Sequence, residues 1–224
     1  MKRVKIAGSI VVIVLSLAVS GLSQGMGGRG GSRPPQMFGT FKPVVGSGAA
    51  YQMTTKEGSM SFAYAIVGKE DVEGNTGYWM EIRSSGVRMP GEMVSKQLMV
   101  VSGDKPQIKR MIMQPPGRPP MEMPTAMMAM QQHGRGGSSG DTDPGVKVGS
   151  ETLTVPAGTF VCEHYRKQTP GGPVDVWVSA QVSPYGTVKI TSGEMTMVLD
   201  KVLSNETSHI KGEPQKMNFP MPQS

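Results

Sequence analysis

Between Gly149 and Asp200 apolar residues recur at every second position, in short runs cut by glycine and proline. A period of two sends alternate side chains to opposite faces of an extended chain, so this stretch reads as a meander of antiparallel strands. Glu151–Val155 ends at Pro156, and Ala157-Gly158 supplies the turn. Phe160–Arg166 runs back, with Phe160, Cys162 and His164 on one face and Val161, Glu163 and Tyr165 on the other. Gly171-Gly172-Pro173 breaks the chain before Val174–Ser179, where Val174, Val176 and Val178 alternate with Asp175, Trp177 and Ser179. In Ser183-Pro184-Tyr185-Gly186 the proline presets φ for a type I or II turn. Thr187–Thr191 and Met195–Leu203 complete the run.

The preceding half has the same grain. Gly48–Thr54 and Ser59–Gly68 read as strands around a turn at Lys56-Glu57-Gly58, with Met60, Phe62, Tyr64 and Ile66 sharing one face. In Tyr78–Arg83, Tyr78, Met80 and Ile82 oppose Trp79 and Glu81. Met93–Val101 fits a helix or a strand, and the turns flanking it favour a strand; Ile108–Gln114 is a further strand. Thr125 is placed to cap a short helix over Ala126–Gln132. With 30 glycines, 18 prolines and only 5% aromatics, the composition also points to a turn-rich, mainly β protein.

The first 23 residues have the three parts of a secretory signal: Lys2, Arg3 and Lys5, then the apolar Ile10–Val19, then small residues at Ser20, Gly21 and Ser23. The apolar run is shorter than the roughly 20 residues a membrane helix needs, so no membrane span is expected in the mature form. Residues 24–41 read as a disordered Gly/Pro-rich linker. Residues 42–210 form a single β-rich domain with a flexible loop at 131–146, and 211–224 an extended tail. Removing Lys2, Arg3 and Lys5 leaves 20 basic residues against 17 acidic, a net +3 with no basic block. A nucleic-acid partner is therefore not expected.

The run Gly149-x-Glu151-x-Leu153-x-Val155-Pro156-Ala157-Gly158-Thr159-Phe160, with Val176-Trp177-Val178-Ser179 and Pro184-Tyr185-Gly186-Thr187-Val188-Lys189, resembles a group of uncharacterised exported proteins of acidobacterial type. The hairpin and the following strand are also similar to the LolA/LolB-like periplasmic lipoprotein-carrier fold. That resemblance implies a strongly curved antiparallel sheet, a half-barrel enclosing an apolar cavity, and carriage of a lipid or other apolar ligand. No lipobox cysteine is present, a departure from the receptor type.

Methionine is the unusual residue, 20 in all, seven of them between Ile108 and Gln132. Flexible, unbranched thioethers suit an irregular apolar cavity, so Met123, Met127, Met128 and Met130 are the candidate ligand-binding residues. Thioethers are also soft donors, and Met121, Met123, Met127, Met128 and Met130 with His133 make an alternative Cu(I) or Ag(I) site. A third reading is a structural surface protein assembling through sheet edges. Cys162, the only cysteine, reads as a buried small hydrophobe, and a zinc site built on Cys162 and His164 lacks its other ligands. Gly46-Ser47-Gly48 and Gly137-Ser138-Ser139-Gly140 lack the strand-to-helix elbow of a serine hydrolase. The acidic residues read as solvated faces. No enzymatic activity and no cofactor are expected.

Overall fold

The computed structural model describes residues 35–87, 89–102, 105–124 and 142–216. Its strands in chain order are β1 (Gly48–Thr55), β2 (Gly58–Val72), β3 (Asn75–Gly86), β4 (Met93–Ser102), β5 (Lys105–Gln114) and β6 (Met121–Glu122). The second half adds β7 (Val146–Val155), β8 (Gly158–Thr169), β9 (Gly172–Val178), β10 (Thr187–Ser192), β11 (Met195–Leu203) and β12 (Gln215–Lys216). All twelve belong to one open sheet, ordered β12-β6-β5-β4-β3-β2-β1-β11-β10-β9-β8-β7. Every pairing is antiparallel except the short parallel one between β12 and β6. The stretch that fitted either helix or strand is β4. No helix occurs among the described residues, and the one expected over 126–132 lies outside them.

Alternation fixes the inner face of the sheet. Tyr51, Phe62, Tyr64, Ile66, Met80, Ile82, Val176, Val188, Ile190, Met197 and Leu199 form one buried cluster contributed by both halves of the chain. Register shifts at Ala50/Tyr51, Ile66/Gly68, Leu98/Met99, Lys147/Gly149 and Thr187/Lys189 each bend a ladder locally. The sum is a strongly curved sheet. At the usual strand spacing, β7 and β11 would lie about 19 Å apart if the sheet were flat. Instead the Ala157 N–H, just past β7, donates to Leu199 O of β11 at 3.4 Å.

One end of the inner face is plugged by irregular chain. Met37 and Phe38 are buried in the main cluster, with Phe41 and the loop residues Val182 and Tyr185 against them. The segment is tied down by Tyr64 Oη to Pro35 O (2.9 Å), Thr187 Oγ1 to Phe38 O (2.7 Å) and Lys42 N–H to Pro184 O (2.7 Å). Gly39 has φ +111°, and a Cβ there would sit 2.1 Å from Tyr185 O, so only glycine passes. Residues 35–41, read from the sequence as linker, are thus core. Two apolar side chains, Met37 and Phe38, are enough to anchor them. The Ser183-Pro184 bond, in the loop that carries Tyr185, is cis.

The outer face of β2–β5 is also covered. Trp79, Leu98 and Ile112 form a second buried cluster there, with Ile210 packed on it. Ile210 belongs to a strap, residues 204–214, that crosses the strands. Glu206 N–H bonds Gly46 O, Lys211 N–H bonds Gln114 Oε1, and Gln215 N–H bonds Pro120 O. Glu81, expected on a solvated face, is only 1% exposed because the strap lies over it. The start of the expected extended tail is therefore bound structure, held by hydrogen bonds of Lys211 with the Gln114 side chain, by the Gln215–Pro120 backbone bond and by the pairing of β12 with β6.

Candidate binding site

The end of the inner face away from the plug is open. The β1–β2 turn, the β10–β11 turn and the chain after β3 meet there around a cavity of about 430 Å³. Met53 and Met60 face each other across β1 and β2. With Met89, Met195 and Val87 they supply its apolar walls, and Lys56, Glu57 and Glu194 stand among its polar lining. Lys56 pairs with Glu194. Gly86 makes room for Met60, since a Cβ at that position would lie 3.0 Å from Met60 Cγ.

Methionines continue along the inner face toward the β6 edge. Met80 pairs with Gln97, Gln97 with Met111, and Ser95 with Met113. Met113 pairs in turn with Met121, and the Met123 N–H donates to Met111 O at 2.9 Å. Met111, Met113, Met121 and Met123 therefore share one face of two adjacent strands. Ile112, on the opposite face, packs with Trp79 and Leu98 of the outer cluster. On that outer face Arg110 Nε and Nη2 donate to Glu122 at 2.7 and 3.3 Å. The hydrogen bond from Arg110 holds the Glu122 carboxyl below the usual carboxylate range.

Of the residues singled out from the sequence, Met121 lies on β6 and Met123 just beyond it, buried. Met127, Met128, Met130 and His133 lie outside the described residues. The cavity methionines were not in the predicted set. The alternation of Met60 with Phe62 was visible, but the convergence of three separate turns was not.

The remaining candidates resolve into structure. Cys162 is buried, its Sγ 3.6 Å from Phe160 O, and burial with the nearby Glu151 charge pushes its thiol up, away from reactivity. His164 stacks on Trp177 at 4.3 Å and bonds Asp175 through Nε2 at 2.7 Å. Burial pushes the Asp175 carboxyl up, but hydrogen bonds from Arg166 and His164 outweigh it and hold it below the usual range. Lys189 sits over the Trp177 ring at 4.8 Å, so both faces of the indole are occupied. Tyr185 is buried, with its hydroxyl 3.7 Å from Met80 Sδ. Among the described residues, no three of His, Cys, Asp and Glu come together as a metal site.

No protein-family model matches the chain, and no curated protein does either. Two solved structures are similar over most of their length. A candidate lipoprotein from Parabacteroides distasonis covers 75% of this chain with 100% of its own, at 10% identity and TM-score 0.37. A candidate exported protein with a YmcC-like fold, from Bacteroides fragilis, covers 73% with 99% of its own, at 13% identity and TM-score 0.33. Likeness at that level carries no argument about function, and the resemblance to LolA/LolB-like carriers stays a likeness of sequence pattern.

Proposed function

We propose that this is an exported, non-catalytic protein that holds an apolar ligand in the methionine-lined cavity at the open end of its curved sheet. The observation that carries the reading is the convergence of Met53, Met60, Met89 and Met195 from separate turns onto one cavity. Its volume of about 430 Å³ falls in the range of small-molecule sites. Thioethers adapt to an irregular apolar shape, and they bring neither acid, base nor nucleophile. That favours binding over chemistry. A short polar rim with Lys56 and Glu194 suits a ligand with an apolar body and one polar end. Export is supported by the basic, apolar and small segments of residues 1–23.

The test is a fluorescence titration of the full chain with the apolar probe N-phenyl-1-naphthylamine. Saturable enhancement, lost when Met60→Glu and Met195→Glu are combined, is the expected result. Binding that is absent in the parent protein, or unchanged in a folded double variant, overturns the reading.

A further inference from the structure

Strand β6 is two residues long, yet it is fixed from three directions. Its backbone pairs with β5 on one side and with β12 on the other. On the outer face, Glu122 is gripped by the Arg110 guanidinium through two of its nitrogens. One residue of slip would break that grip and turn Met121 and Met123 to the outer face. The register that results sets Met121 against Met113, and the Met123 backbone against that of Met111. Directly opposed Cβ atoms in an antiparallel pair lie about 5 Å apart, so sulfurs on three-bond methionine side chains can meet at one point between them.

We infer that Met111, Met113, Met121 and Met123 form a thioether site for a soft monovalent cation, Cu(I) or Ag(I). Neutral sulfur donors favour such ions over hard divalent ones. The flanking groups on the same face, Ser95 and Gln97, are uncharged. The site is distinct from the apolar cavity, because none of its four methionines lines it. Three of them are only partly buried, which leaves an ion a way in from solvent.

A competition titration on the full chain tests this. Cu(I), kept reduced with ascorbate, is offered against the chelator bicinchoninate, and X-ray absorption reads the donor atoms. The expected result is one copper withdrawn per chain with sulfur ligation. Uptake should be lost when the four methionines are all replaced by leucine, which is close in volume. The milder pair Met113→Leu and Met121→Leu, which removes only the directly opposed sulfurs, should weaken uptake in a protein whose unfolding midpoint is unchanged. Met53→Leu with Met195→Leu should leave copper uptake intact, and the naphthylamine titration reports on that cavity separately. Copper left on the chelator by the parent protein overturns the inference. So does uptake unchanged in the quadruple variant, or uptake abolished only by replacing Met127, Met128 and Met130.

Discussion

Glu81 and His209 meet through three contacts: the carboxylate accepts from the His209 backbone N–H and from ring Nδ1, each at 3.0 Å, the former shared between both oxygens. Ser208 Oγ donates to the same group at 2.9 Å. With Nδ1 donating, His209 Nε2 is left to accept from Arg83 Nη1 at 2.8 Å, and Arg83 also bonds Glu206 at 2.9 Å. The cluster latches the strap to β3. A buried acceptor that loses its match leaves several donors unsatisfied.

Glu81→Gln should therefore destabilise the protein by about 2–4 kcal/mol, since one amide nitrogen would confront donors. Urea unfolding followed by tryptophan fluorescence measures this, and limited proteolysis should cut within 204–214 faster than in the parent. A change within about 0.5 kcal/mol, the usual size for a surface substitution, would show that the latch carries no weight.

The plug makes a second prediction. Phe38→Ala should cost about 3–5 kcal/mol, as for other buried aromatics. Gly39→Ala should cost about 3 kcal/mol or more, because it combines a left-handed φ with overlap on Tyr185 O. Thermal unfolding of the two variants gives both values. A linker in this place would tolerate each change without effect.

The Arg110–Glu122 grip predicts an acid dependence. Glu122 is held below its ordinary value, so its contribution is present above the usual carboxylate range and fades as pH falls through that range and below it. Arg110 is 44% exposed, and solvent screening keeps the pair under about 1 kcal/mol. The stability difference between the parent and Glu122→Gln should be measurable at pH 7 and shrink steadily as pH falls below the usual carboxylate range. A difference of constant size would argue that packing, not charge, matters there.

Alkaline behaviour has the opposite sign. Burial pushes the Tyr185 phenol up to about 12 and those of Tyr51 and Tyr64 well above the ordinary phenol value. These groups stabilise the fold fully below the unfolded value near 10, and that share is lost as pH rises beyond it. In an ultraviolet titration, phenolate absorbance from these three residues should appear only together with unfolding. Reversible titration of all five tyrosines in the folded state would contradict their burial.

Where a period of two ran unbroken, the sequence was legible. The split of Tyr78, Met80 and Ile82 from Trp79 and Glu81 separates the inner core from the outer cluster, and Val174 and Val176 are buried as their alternation requires. What sequence did not disclose lies in segments without a period. Residues 35–41 and 204–214 are irregular, and only tertiary contacts make them structure. Glu81 looked solvated because its cover comes from 128 residues further on, at His209. Methionine density near Met121 and Met123 was plain, but the partners Met111 and Met113 follow from a register that no spacing encodes.

The sheet order has a kinetic consequence. Apart from β6–β12, every ladder joins strands that follow one another in the chain, save β1 with β11. Each half can therefore zip from hairpins, while the seam must wait for loop closure across most of the domain. Substitutions at Tyr51 or Leu199 should then slow folding, whereas equally costly ones within β3 or β9 should mainly hasten unfolding. The molecule behaves as two locally built ribbons whose meeting is the slow step.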